Sequence, residues 1–167
     1  SFNNCIFSRN KADEEGGALC LMIQGNIVIT NCQFINNICG LKSTGKYFGG
    51  AISITPDYGY QQNKIADSIN IKQCSFIGNA GYEANSIYIN NAQKTDVSIT
   101  DNCNFEETST EANQHSSIMT DSRNFKVNGC SFIFSSISLL SGETNSNQIF
   151  SITNCQFNKT NSGGAIQ

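Results

Sequence analysis

Tryptophan is missing from this chain, proline appears once, at Pro56, and only 14% of its 167 residues are charged. What charge there is sums to −3, so there is no basic surplus to draw in phosphate backbones, and nucleic acid is excluded as a partner. The longest apolar runs, such as Ala18 to Ile23, fall far short of the roughly 18 residues a membrane-crossing helix needs, so this segment is not expected to insert into a bilayer directly. The first residues show no basic stretch leading into an apolar one, and no signal peptide is visible. Groups suited to proton transfer are also scarce: the histidine is His115, and the arginines are Arg9 and Arg123.

What remains is a text rich in Asn, Ser, Ile, Gly and Phe. Asn, Ser and Gly weaken helices, whereas Ile and Phe suit a pleated surface. Its organisation shows as internal repetition. The phrase Cys-x-Phe recurs at Cys5-Ile-Phe7, Cys32-Gln-Phe34, Cys74-Ser-Phe76, Cys103-Asn-Phe105, Cys130-Ser-Phe132 and Cys155-Gln-Phe157. Ahead of all but the first copy runs an alternating apolar pair: Ile27 and Ile29, Ile69 and Ile71, Val97 and Ile99, Phe125 and Val127, Phe150 and Ile152. Period-2 alternation places each pair on one face of a strand, and Cys with Phe on one face of the next. The polar corners between them, such as Thr30-Asn31 and Thr153-Asn154, suit Asn, which tolerates left-handed backbone angles.

A second phrase, Gly-Gly-Ala followed by Leu or Ile, stands at 16–19, 49–52 and 163–166, with weaker copies at Ala84-Asn85-Ser86-Ile87 and Ser116-Ser117-Ile118. It marks a third strand. A third phrase, Phe-x-x-Asn, ends at Asn10, Asn37 and Asn79; later copies carry Thr108, Ser135 and Thr160 instead. Successive Cys-x-Phe cysteines are 27, 42, 29, 27 and 25 residues apart. Three short strands in such a period make one turn of a right-handed parallel β-helix, whose rungs bury their inward faces only by stacking. The expected architecture is all-β: one solenoid segment over 1–167, with about six rungs of three short strands, internal to a longer chain. The long step accommodates inserted loops near 38–48 and 56–67. A leucine-rich repeat fits less well, because Leu is scarce and the second half of each period offers a strand in place of a helix.

The ordered alternation of Gly-Gly-Ala-Ile with Phe-x-x-Asn resembles the repeats of the polymorphic membrane proteins of chlamydiae and of large surface families in some protists. The resemblance runs the length of the chain. It implies a β-helical passenger or ectodomain at the cell surface or in the extracellular space, active in adhesion and antigenic display.

Six of the eight cysteines occupy one repeat position, which points to a ladder of small buried thiols more than to a metal centre, since no paired C-x-x-C motif is present. Cys20, between Leu19 and Leu21, should face outward, and Cys39 falls in a corner before the next Gly-Gly-Ala strand. Their off-pattern placement makes a Cys20–Cys39 disulfide a candidate, suited to an oxidising exterior.

Carbohydrate-active β-helices gather carboxylates, often beside Arg, Lys or His, on outward positions of neighbouring strands. The acids of this chain are dispersed: Asp13-Glu14-Glu15 and Glu106-Glu107 read as solvated charge in corners. Asp96 and Asp101 flank one strand within conceivable reach of Asp67 or Asp121, a weak option for Ca²⁺. His115 sits in a polar corner and is expected at the surface. Tyr47, Phe48, Tyr58 and Tyr60 form an aromatic group in the inserts that would either contact a partner or fold back over the solenoid. Asn158-Lys159-Thr160 is an N-glycosylation pattern. The sequence therefore leads to a non-catalytic structural or adhesive scaffold, with no cofactor and no metal. Its expected partners are a protein, a glycan, or further rungs of the same or a neighbouring chain. The alternative is part of a polysaccharide lyase or hydrolase whose catalytic rungs lie elsewhere.

Overall fold

The computed structural model describes residues 1–22, 25–40, 48–55, 67–90, 95–107, 116–140, 148–158 and 165–166. Among these residues there is no helix, and every strand pairing is parallel. The strands stack into three long sheets, and the chain visits each in turn once per rung: a parallel β-helix.

The first sheet contains Phe2–Asn3, Asn26–Thr30, Ser68–Lys72, Asp96–Thr100, Asn124–Asn128 and Ile149–Thr153. Its inward residues are the alternating pairs read from the sequence, in register from rung to rung: Ile27 lies on Ile69, Ile69 on Val97, Val97 on Phe125. The second sheet contains Ile6–Ser8, Gln33–Ile35, Ser75–Ile77, Asn104–Glu106, Ser131–Ile133 and Gln156–Asn158. It carries the Cys-x-Phe column. Rings of Phe7, Phe34, Phe76, Phe105, Phe132 and Phe157 stack face to face with centroids 4.9, 4.8, 4.8, 4.9 and 4.6 Å apart. That spacing is the inter-strand distance of a sheet, so each rung adds one ring to the column.

Between these sheets the corner residue before each cysteine adopts positive φ: Asn4, Asn31, Gln73, Asn102, Gly129 and Asn154. The chain bends there, and each thiol points back to the carbonyl of the corner. Cys32 Sγ donates to Thr30 O at 3.2 Å, and Cys74 Sγ to Lys72 O at 3.1 Å. Cys32, Cys74, Cys103 and Cys130 are buried, and Cys5 and Cys155 half-buried, so the thiols do form the expected ladder.

The third sheet holds Leu19–Leu21, Ile52–Ile54, Ile87–Ile89, Ile118–Thr120 and Ile137–Leu139. Simple alternation would leave its outer face wet, but Ser53 and Tyr88, which point outward, are buried. A fourth, short sheet pairs Lys11–Ala12 with Ile38–Cys39 and continues by a bridge from Ile38 to Ala80. This places Ile38 and Cys39 within the solenoid, so the first insert begins later than the sequence boundary at 38 suggests.

The Gly-Gly-Ala phrase serves that corner. Gly16 has a φ of +52°, which only glycine adopts freely, and a Cβ on Gly17 would stand 2.1 Å from Gly50 O and 2.8 Å from Ile38 N. On Gly50 it would meet Ala80 C at 2.4 Å. The second glycine is thus the condition for the fourth sheet to lie close to the third. Asn10, Asn37 and Asn79 of Phe-x-x-Asn stack beside it. Asn10 donates from N and Nδ2 to Asn37 Oδ1 at 3.0 and 2.9 Å, and Asn37 repeats both bonds to Asn79 Oδ1.

Candidate functional site

On the outside of the first sheet, two outward columns run along the solenoid. Ser68, Asp96, Asn124 and Ile149 form one, and Asn70, Ser98, Lys126 and Ser151 the other. They line a groove of about 480 Å³ that crosses four rungs. Among the described residues its polar groups are hydroxyls, carboxamides, one carboxylate and one ammonium. Asn70 Nδ2 donates to Ser68 Oγ at 3.2 Å, which in turn donates to Asn26 Oδ1 at 2.9 Å.

Asp96 is held from the next rung. Arg123 Nη2 donates to Asp96 Oδ1 at 2.8 Å, and Asn124 Nδ2 donates to the same oxygen at 2.7 Å. These bonds hold the Asp96 carboxyl below its ordinary range. Arg123 reaches it because the connection from Thr120 to Asn124 is short, and Gln148 Nε2 steadies that connection by donating to Asp121 O at 3.0 Å. Asp101 pairs with Lys72 at 3.9 Å. Among the described residues no group of three or more His, Cys, Asp or Glu is arranged to hold a metal ion. A smaller hollow of about 260 Å³ lies at the next corner, between Asn102, Asn104, Ser131, Asn154 and Gln156.

Of the aromatic group expected to make contacts, Phe48 turns back onto the third sheet and stacks on Tyr88 with centroids 4.5 Å apart. It covers the solenoid and does not project from it. Tyr47, Tyr58 and Tyr60 lie outside the described residues, as does His115. Asn158 is exposed at the end of Gln156–Asn158, while Lys159 and Thr160 of its glycosylation pattern lie outside the described residues.

Cys20 is exposed, as its alternation requires, and Cys39 is buried in the fourth sheet instead of sitting in an open corner. Both are free thiols. Cys20 Sγ donates to Glu15 Oε2 at 3.3 Å, and Thr55 Oγ1 donates to the same oxygen at 3.1 Å. Partial burial and the Glu15 carboxylate push the Cys20 thiol up to about 11. Burial, with Glu15 and Asp13 behind it, pushes Cys39 up to about 11 against the lowering effect of the Phe48 and Gly16 backbone amides. Neither sulfur is a ready nucleophile near neutral pH.

Glu107 corrects a sequence expectation. In place of a solvated charge in a corner, its side chain is buried, with Ser117 Oγ donating to Oε1 and Ser135 Oγ donating to Ser117 Oγ at 2.5 Å. Desolvation raises its carboxyl to about 7. The equivalent positions Arg9, Asn36, Gly78 and Phe134 have positive φ and are not buried, whereas Glu107 is outside the positive-φ set and turns inward. The sequence signal was that Glu107 is the lone acid beside Arg9, Asn36, Gly78 and Phe134 at this repeat position.

No family model, curated protein or solved structure matches this chain. No helix among the described residues is long and apolar enough to cross a membrane, a statement that leaves β-barrel spans untouched.

Proposed function

We propose that this chain is a structural and adhesive scaffold at the cell surface or in the extracellular space, built on repeats like those of polymorphic membrane proteins and acting by binding, not catalysis. The observation that carries the proposal is the groove on the first sheet. Its binding groups are spread over four rungs of a rigid frame and, among the described residues, include a single carboxylate, Asp96, tied to Arg123 and Asn124. Hydrolysis of a glycoside calls for two carboxyl groups facing each other across the scissile bond. Burial of Cys32, Cys39, Cys74, Cys103 and Cys130 is compatible with that location, because it keeps these unpaired thiols from solvent oxidants.

One observation favours the alternative of a carbohydrate-active enzyme: Asp96 with Arg123 and Lys126 nearby sets an acid beside cations on neighbouring rungs, an arrangement a lyase could use. The two readings separate in one experiment. Beads coated with the chain are passed over cultured cells, matrix proteins and mucin, while the free chain is incubated with plant, bacterial and animal polysaccharides. Retention on at least one surface, without new reducing ends or unsaturated products, is expected. Product release, or beads that adhere to nothing, would remove the proposal.

A further inference from the structure

We infer that the groove on the first sheet binds a neutral, extended oligosaccharide lying along the solenoid axis. This rests on the adhesive reading above and names its ligand. Three features of the groove select that chemistry over others.

The first is length. From Ser68 to Ile149 the groove covers three inter-rung steps, about 14 Å at the usual strand spacing. A single sugar would leave most of it empty. Its volume of about 480 Å³ lies within the range of small-ligand sites.

The second is the kind of polar group. Ser68, Ser98 and Ser151 both donate and accept, and Asn70 and Asn124 carry a donor and an acceptor each, which matches hydroxyls that themselves do both. Asp96 is pre-aimed: Arg123 and Asn124 bond its Oδ1, and among the described residues nothing is bonded to Oδ2, leaving that oxygen to accept a hydroxyl in a charge-assisted bond. At one end exposed Ile149 offers apolar surface for the C–H face of a sugar ring.

The third is what the groove disfavours. Asp96 is offset by Arg123, and Lys126 is the one further cation among the described residues of the groove, so among them no row of free cations awaits a sulfated or phosphorylated chain. A peptide cannot add as a strand, because Asp96–Thr100 is already paired on both sides.

Calorimetric titration tests this with linear hexasaccharides of glucose, xylose, mannose and N-acetylglucosamine, with heparin hexasaccharide and uncharged peptides as competing classes. At least one neutral hexasaccharide should bind, its monosaccharide at least about tenfold more weakly. Ser98→Tyr, which fills the groove from an outward position, should weaken binding by about tenfold or more. Gln33→Tyr, on the outer face of the second sheet, should leave it unchanged, and matching thermal melts establish that both variants fold. Silence from all the neutral hexasaccharides, tighter binding of heparin or peptide, or equal effects of the two substitutions would overturn the inference. Failure here with beads still retained on surfaces would leave the scaffold standing; cleavage of a bound hexasaccharide would confirm the ligand class and remove the scaffold.

Discussion

The early and late rungs close the same corner with different chemistry. In the early rungs Asn10, Asn37 and Asn79 form a neutral ladder in which Oδ1 of Asn37 and of Asn79 accepts two bonds from the rung before, while Nδ2 of Asn37 and Asn79 also reaches Phe7 O and Phe34 O at 3.0 Å. Paired glycines let the short fourth sheet lie against it. In the later rungs Glu107, Ser117 and Ser135 occupy the interior instead, with Ser136 Oγ donating to Ser116 Oγ at 3.1 Å. A carboxamide ladder satisfies itself at any length and does not titrate. Ionising a buried carboxyl costs more in lost solvation than its hydroxyl donor returns, so the second solution makes stability depend on pH.

Substitutions should expose this difference, most strongly at the glycine corner. Gly50→Ala puts a methyl 2.2 Å from Asn85 O and 2.4 Å from Ala80 C, and the loss in urea unfolding should exceed about 4 kcal/mol. Ser116→Ala, at the corresponding corner of a later rung, should cost about 1 kcal/mol. If the two were equal, the close approach of the fourth sheet would not be what the glycines serve.

Next in size is the ladder. Asn37→Ala strands partners on both neighbouring rungs, a loss of about 3 kcal/mol by the same unfolding measurement. A comparable loss from Asn79→Ala is expected, since it too bonds Asn37 and Phe34 O. Wild-type-like stability of either variant would mean water replaces the amides.

Glu107 supplies the pH test. Its native carboxyl titrates near 7 against an ordinary value of 4.5, so the native state keeps a proton that the unfolded chain has already released. Stability from this group is complete below pH 4.5 and is lost as pH rises through about 7, up to about 3 kcal/mol in all. Glu107→Gln should flatten that slope and be the more stable protein above pH 7. An unchanged slope would show that Glu107 is solvated.

The smallest contrast concerns thiols. Cys103 is buried, and contacts with Cys130 and Cys74, then burial, push its thiol up; Cys103→Ser should cost about 1–2 kcal/mol as a hydroxyl enters the dry column. Cys20→Ser should change stability by less than about 0.5 kcal/mol. In the native protein an alkylating reagent should modify Cys20 well before Cys103, and slowly at neutral pH.

The sequence carried the long columns openly, because stacking rungs repeat their inward residues: Cys-x-Phe and the Ile pairs each landed on one column, and the asparagines at the corners took the left-handed angles expected of such residues, with Gln73 taking one too. The fourth sheet was not legible, since strands of two residues such as Lys11–Ala12 and Ile38–Cys39 hold no period. Burial of Ser53 and Tyr88 was hidden for a related reason: what covers the outside of a sheet, Phe48 among it, comes from outside the repeat. Glu107 looked like surface because an acidic pair in a corner usually is, and a single φ decides which way it turns. The groove escaped notice because outward positions alternate whether or not they enclose anything; only the short connection bringing Arg123 to Asp96 marked that place.

The stacking of rungs in one register is tested most directly by selectively ring-labelled phenylalanine in nuclear Overhauser spectroscopy. Phe76 should show ring contacts to both Phe34 and Phe105, residues far from it in the chain but 4.8 Å away on either side. Rings that see only their sequence neighbours would contradict the solenoid and everything built on it.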